Sequence, residues 1–296
     1  MAIHRGNLGD LLSPGFREIF FQKFGERPPQ YSELFNIESS KRKYEDDSYV
    51  SGFGLIPKKS EGVEMSPDDV IQGFDKRYTH DTFGVQYRVT EEMMEDDLYG
   101  VIKKLPASLG RSMALTIETD AANVFNNGFS TSYLGGDGSA LFVSDHPLLD
   151  GTTQKNILST AADLSQTSLE QALIDIAATT DDRGLLVHLV PKKLIVAPAG
   201  EFNAKRLLMS TQEPDNANNA VNPMKGVLQL VVNHYLTDPD AWFILCDQHE
   251  LNWFWRVKPD HKQGNDFGTG DARFKVRARW SRGWSLPWGV FGTPGA

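Results

Sequence analysis

The residue types able to do chemistry are present in this chain but scattered. Its seven histidines (His4, His80, His146, His188, His234, His249 and His261) form neither a His-x-x-x-His pair nor a His-Glu-x-x-His motif, and only Cys246 could join them. That pattern argues against a zinc site, which needs closely spaced nitrogen and sulfur ligands. Ser144-Asp145-His146 contains the three residue types of a hydrolase triad. Adjacent side chains point in different directions, however, and cannot relay a proton among themselves. No Gly-x-Ser-x-Gly elbow surrounds any serine. A hydrolase using Asp145 and His146 is therefore the remote reading, and the near one makes them loop residues that order the turn at Pro147.

Gly135-Gly136-Asp137-Gly138 lacks the Gly-Lys-Ser/Thr ending of a phosphate loop. The carboxylate pairs Asp46-Asp47, Asp68-Asp69, Asp96-Asp97 and Asp181-Asp182 read as solvated charges, with a divalent ion bridging subunits as the alternative. Cys246, within Trp242-Phe243-Ile244-Leu245-Cys246, reads as a core thiol. Neither a cofactor nor a metal is expected, and the chain does not read as an enzyme.

Length and composition suit one or two soluble domains with a sizeable core. No stretch reaches the roughly 18 apolar residues of a membrane span, and residues 1–7 lack the apolar core of a signal peptide. A cytoplasmic site of synthesis follows, with no membrane partner. Net charge is −9, divided as +2 over residues 1–43, −16 over 44–250 and +5 over 251–296. The acidic bulk argues against sequence-specific nucleic-acid binding.

The organisation is more informative. Residues 1–43 read as an arm whose large apolar residues, Phe16, Phe20, Phe21, Phe24, Tyr31 and Phe35, have few partners nearby in sequence and must dock on this subunit or the next. Residues 44–90 read as an extended two-stranded ribbon. Its alternating runs Ser48–Ile56 and Tyr78–Val89 flank the turn-rich Pro57-Lys58-Lys59-Ser60-Glu61-Gly62. A lone hairpin is marginal in water, so Phe53 and Ile56 are expected to rest on another copy, with Lys58, Lys59, Glu61 and Glu64 in ionic contact there.

A helix capped by Thr90 should run from 91 to 128, with apolar residues from Met94 to Val124 in steps of three and four. Pro106 would bend it or split it into two helices, and Asn126-Asn127-Gly128 would stop it. Thr167 and Glu170 read as the capping box of a helix near 169–177. Leu185–Val196 reads as a strand pair or a strand kinked at Pro191, and 210–226 as a polar loop. In the closing strand Arg273, Lys275, Arg277 and Arg279 share one face, opposite Phe274, Val276, Ala278 and Trp280. The basic row would match an acidic neighbouring subunit or nearby DNA phosphates, or else guard an edge strand against unwanted pairing. The class is α+β.

In order along the chain, several strings resemble the major capsid proteins of tailed bacteriophages, in the branch of the Mu-like head subunit. They are Gly52-Phe53-Gly54-Leu55-Ile56-Pro57, Gln72-Gly73-Phe74, Tyr78-Thr79-His80, Arg88-Val89-Thr90-Glu91-Glu92-Met93 and Glu95-Asp96-Asp97-Leu98-Tyr99. Further on come Gly138-Ser139-Ala140-Leu141-Phe142, His146-Pro147, Pro191-Lys192-Lys193-Leu194-Ile195-Val196 and Asp240-Ala241-Trp242-Phe243. The resemblance implies the Hong Kong 97-type capsid fold, with an N-terminal arm (1–43), an extended loop (44–90), a peripheral domain (91–164, spine helix 91–128, completed by 259–296) and an axial domain (165–258). It implies self-assembly into hexamers and pentamers of an icosahedral head around double-stranded DNA held by non-specific proximity. The implied location is the virion, after assembly in the host cytoplasm. Portal, a decoration protein and a scaffold are implied partners, the scaffold separate because no coiled coil precedes residue 1. A cellular nanocompartment shell of the same fold is the alternative.

Overall fold

The computed structural model describes residues 9–96, 100–212, 220–266 and 268–296. The chain divides into two compact units. The first comprises residues 1–45, 79–121 and 253–282, and the second 46–78, 122–252 and 283–296.

In the first unit, a four-stranded sheet is ordered β1 (Asn36–Ser39), β10 (Leu251–Asn265), β11 (Ala272–Trp284), β4 (Asp81–Val89). Strand β11 alternates as the sequence predicts: residues 272, 274, 276, 278 and 280 are buried, whereas 273, 275 and 277 are exposed. The covered face is aromatic. Phe83 stacks on Trp280 at 3.9 Å, Tyr87 on Phe274 at 4.9 Å, and Trp253 on Trp280 at 5.6 Å. Helix α1 (Gly9–Phe24) supplies Phe16 to the same core, beside Val89, Ile102 and Phe274.

Helix α3 (Val101–Asn126) closes this core. A methyl group at Gly110 would run into the Phe20 carbonyl, so glycine is what lets α1 approach there. The predicted single helix 91–128 is corrected: a short helix α2 (Glu91–Glu95), capped by Thr90, ends before Gly100, whose φ is +66°, and α3 then begins. Pro106 lies inside α3 and neither splits nor ends it; it removes one backbone bond near the start. Residues 97–99 of the predicted helix, and the opening residues 1–8, lie outside the described residues.

In the second unit, the sheet is ordered β12 (Val290–Thr293), β9 (Trp242–Cys246), β7 (Pro191–Val196), β8 (Gln229–Val232). Strands β7 and β8 are parallel and the other pairs antiparallel. Helices α4 (Gln166–Ala177) and α5 (Glu201–Met209) bury Leu169, Ala172, Ile176, Ala204, Leu207 and Leu208 against it. The cap of α4 is Ser165, bonded reciprocally with Ser168, and not Thr167. The predicted strand over Leu185–Val196 is confined to β7, and the predicted loop 210–226 lies partly outside the described residues, at 213–219.

The ribbon belongs to the second unit, and its pairing differs from the predicted one. Strand β2 (Tyr44–Val50) pairs with β3 (Gln72–Thr79). The predicted second run, 78–89, mostly becomes β4, which pairs with β11. Its alternation fits the face of a covered sheet better than a free hairpin, because Phe83, Tyr87 and Val89 find aromatic and apolar cover there.

Candidate assembly surfaces

Beyond β2 and β3 the ribbon continues as an extended segment, 51–71, with no strand assigned. Its root is fixed. The Ser51 backbone N–H donates to the Ile71 carbonyl at 2.9 Å, and the Ile71 N–H to Ser51 Oγ at 3.0 Å. Asp68 accepts from the Gly54 N–H at 2.8 Å, and Arg183 donates to the carbonyls of Gly52 and Asp69. Gly62, at φ +77°, makes the turn at the tip, a conformation costly for a residue with a Cβ.

The segment's apolar side chains are uncovered. Leu55 is 82% exposed and Ile56 94%, and Phe53, Val63, Met65, Val70 and Ile71 are exposed beside them. Isolated exposed apolar residues are ordinary, but a run of this length marks a surface made to be covered. Lys58, Lys59, Glu61 and Glu64 are exposed on the same segment and form no ion pair among the described residues.

The arm is different: of the two docking places expected for its large apolar residues, this subunit or the next, Phe16, Phe20 and Phe35 take the first. Phe16, Phe20 and Phe35 are buried within the chain's own first unit. Tyr31, half-buried, packs on Trp253 at 5.0 Å, and Phe35 does so at 5.9 Å. Their surfaces are spent at home because β10 and β11 supply the aromatic partners that the local sequence lacks.

Glu118 of α3 holds the arm in place, its carboxylate accepting from the Gln30 N–H at 2.9 Å and the Tyr31 N–H at 3.0 Å. Burial pushes its pKa up to about 6, although the two N–H groups oppose that shift. Nearby, Asp120 accepts from Trp280 Nε1 at 2.6 Å and pairs with Arg282 at 2.6 Å. Such a bond is what a buried indole N–H requires.

The basic row lies where the sequence put it. Arg273, Lys275, Arg277 and Arg279 face away from the aromatic core, opposite Arg88, Gln86, Gly84 and Thr82 of β4. Strand β11 is flanked by β10 and β4, so the edge-guarding reading of the row is corrected. Arg273 pairs with Asp266, and Arg88 with Asp271 at 3.4 Å.

His146 is buried, but its partner is not the neighbouring Asp145, which is exposed. Its Nδ1 lies 2.6 Å from Asp137 Oδ2, and its Nε2 3.2 Å from Asn156 Oδ1. Asn156 in turn donates to the Leu141 carbonyl at 2.6 Å. Asp137 was missed as a functional residue; its only signal was its place in a glycine-rich turn, and the partner arrives through loop closure. Enclosed by loop backbone, the cluster ties residues 137–156 together. Cys246 is buried, which raises its thiol pKa to about 12. Among the described residues no group of three or more His, Cys, Asp or Glu could hold a metal ion, and no helix is long and apolar enough to cross a membrane.

The family model described as "Phage capsid protein" matches residues 73–291, about three-quarters of the chain. No curated protein matched. Among solved structures, the capsid of cyanophage P-SCSP1u aligns with a TM-score of 0.59 at 11% identity, over 89% of this chain and 86% of that one. The capsid of bacteriophage JBD30 decorated with minor capsid protein trimers aligns at 0.56 and 16% identity, over 80% and 100%. A virus-like particle from Pyrococcus furiosus aligns at 0.52 and 11% identity, over 95% and 98%. These likenesses establish the Hong Kong 97-type fold.

Proposed function

We infer the working of this chain from the family to which it belongs, the phage capsid proteins: it is the major capsid protein of a tailed bacteriophage, and its copies close into the icosahedral head around double-stranded DNA. Its role is structural and its place is the virion. The observation that carries the mechanism is the uncovered apolar run of segment 51–71, on a root fixed by Ser51, Asp68 and Arg183.

Each copy lays this segment over a neighbour. Each contact is weak alone, but linked contacts raise the effective concentration for the next, so hexamers and pentamers close cooperatively. In this reading the first unit holds the arm and part of the peripheral domain (91–121 and 259–282), and the second holds most of the axial domain (165–252) together with residues 46–78, 122–164 and 283–296. The placement in the Mu-like branch is the finer part of the proposal. Partners beyond the chain itself are a portal, a scaffolding protein and a decoration protein, the last suggested by the JBD30 capsid with its minor-protein trimers.

Negative-stain microscopy of the purified chain tests the reading. Closed shells, or sheets and tubes of capsomers, are expected at high concentration, and replacing residues 52–70 by a short Gly-Ser link should leave folded protein that builds none of them. Normal shells from that variant would refute the role of the segment. Nuclease-protected DNA in particles from infected cells separates a phage head from a nanocompartment shell of the same fold, the reading that the Pyrococcus particle keeps in view.

A further inference from the structure

We propose that the outer face of the β10–β11–β4 sheet is a sequence-independent surface for the backbone of duplex DNA. This rests on the capsid reading and adds the place where the chain meets its cargo. Four cations occupy alternate positions of one strand, Arg273, Lys275 and Arg277 exposed and Arg279 half-buried. At about 3.4 Å per residue they stand roughly 6.8 Å apart over about 20 Å. Duplex DNA carries one negative charge per about 1.7 Å of its axis, so a cation row of this length meets several phosphates whatever the base sequence.

The acids nearby are already paired: at the hairpin end Asp266 holds Arg273, Asp271 holds Arg88 and Asp260 lies 3.3 Å from Lys262, and at the other end Asp81 lies 3.2 Å from Arg282 and Glu45 3.6 Å from Arg42. Lys275, Arg277 and Arg279 form no ion pair among the described residues. The Nε of Arg279 is buried with no acceptor among the described residues.

Composition selects DNA over a second protein copy. Opposite the row, β4 offers Gln86, Gly84, Thr82 and Arg88 and no apolar side chain. Protein interfaces have apolar cores depleted in Lys, whereas DNA-facing surfaces are polar and strongly cationic. The exposed run on segment 51–71 would find no apolar counterpart on this face.

The test titrates unassembled full-length protein with a short duplex of arbitrary sequence across a series of salt concentrations, by fluorescence anisotropy. Lys275→Gln/Arg277→Gln should lower the slope of log K against log salt by about two and weaken binding at 0.1 M salt about 60-fold, the counterion-release factor for two phosphates. Arg277→Lys, which keeps the charge, should bind like wild type, and the double variant should still assemble. Equal affinity of wild type and double variant would overturn the proposal. So would loss of shells in the double variant, because that would put an acidic neighbour on this face. A wild-type chain that never assembles would contradict the capsid reading instead, and the duplex titration would still decide the DNA face.

Discussion

The N-terminal arm and the ribbon segment 51–71 look alike as sequence: both carry large apolar residues with no private core. Their fates are opposite. In the arm, Phe20 is fully buried and Phe16 and Phe35 nearly so, within the chain's own first unit. In the ribbon, Leu55 and Ile56 are almost wholly exposed on a segment whose hydrogen bonds secure only its root. Apolar content without a local core therefore does not identify an intersubunit surface. What separates the two is the supply of partners from distant sequence, since the arm meets Trp253 and Phe274 whereas the ribbon's apolar run meets water.

That contrast breaks most visibly in the arm. Phe20→Ala should destabilise the chain by about 3–5 kcal/mol, the range for deleting a buried aromatic ring, read from the midpoint of denaturant unfolding. An effect near zero would mean the arm is not part of the fold.

The clamp between Glu118 and the arm gives a smaller effect that depends on pH. Its folded pKa, about 6, lies above the ordinary 4.5. The stability this group supplies is therefore full below about 4.5 and lost as pH rises through about 6. The loss should be at most about 1–2 kcal/mol, at about 1.4 kcal/mol per pH unit with allowance for solvent screening. Unfolding curves of Glu118→Gln should lack that decline, while a decline equal to wild type would remove Glu118 as its source.

The smallest stability effect belongs to the ribbon. Leu55→Ser/Ile56→Ser should change unfolding free energy by no more than about 0.5 kcal/mol, as exposed substitutions do, yet raise the concentration at which shells form. Static light scattering against protein concentration reads that difference.

Much of the architecture was legible where a local rule decides it. The two-residue alternation of β11 fixed its buried and exposed faces correctly, because strand side chains alternate whatever the partner. Thr90 was recognisable as a cap because its hydroxyl need only reach the N–H of Met93. Choices made by distant residues were not legible. Strand β4 reads as half of a hairpin until β11 is brought beside it. The break before α3 was hidden because apolar spacing continues across Gly100, while Pro106, the obvious breaker, is absorbed near the start of a long helix. Asp137 and His146 are joined by a folded loop, which no spacing rule foresees.

The central claim is that another copy covers segment 51–71, and a single engineered thiol tests it most directly. The native Cys246 is 2% exposed with its pKa raised to about 12, so a cysteine placed by Ile56→Cys would dominate modification by a thiol reagent. Fast modification is expected in unassembled protein, falling in assembled shells by about tenfold or more, as for a site taken from solvent into an interface core. Equal rates in the two states would mean that the segment stays open to solvent in the shell and that its apolar run does not drive assembly.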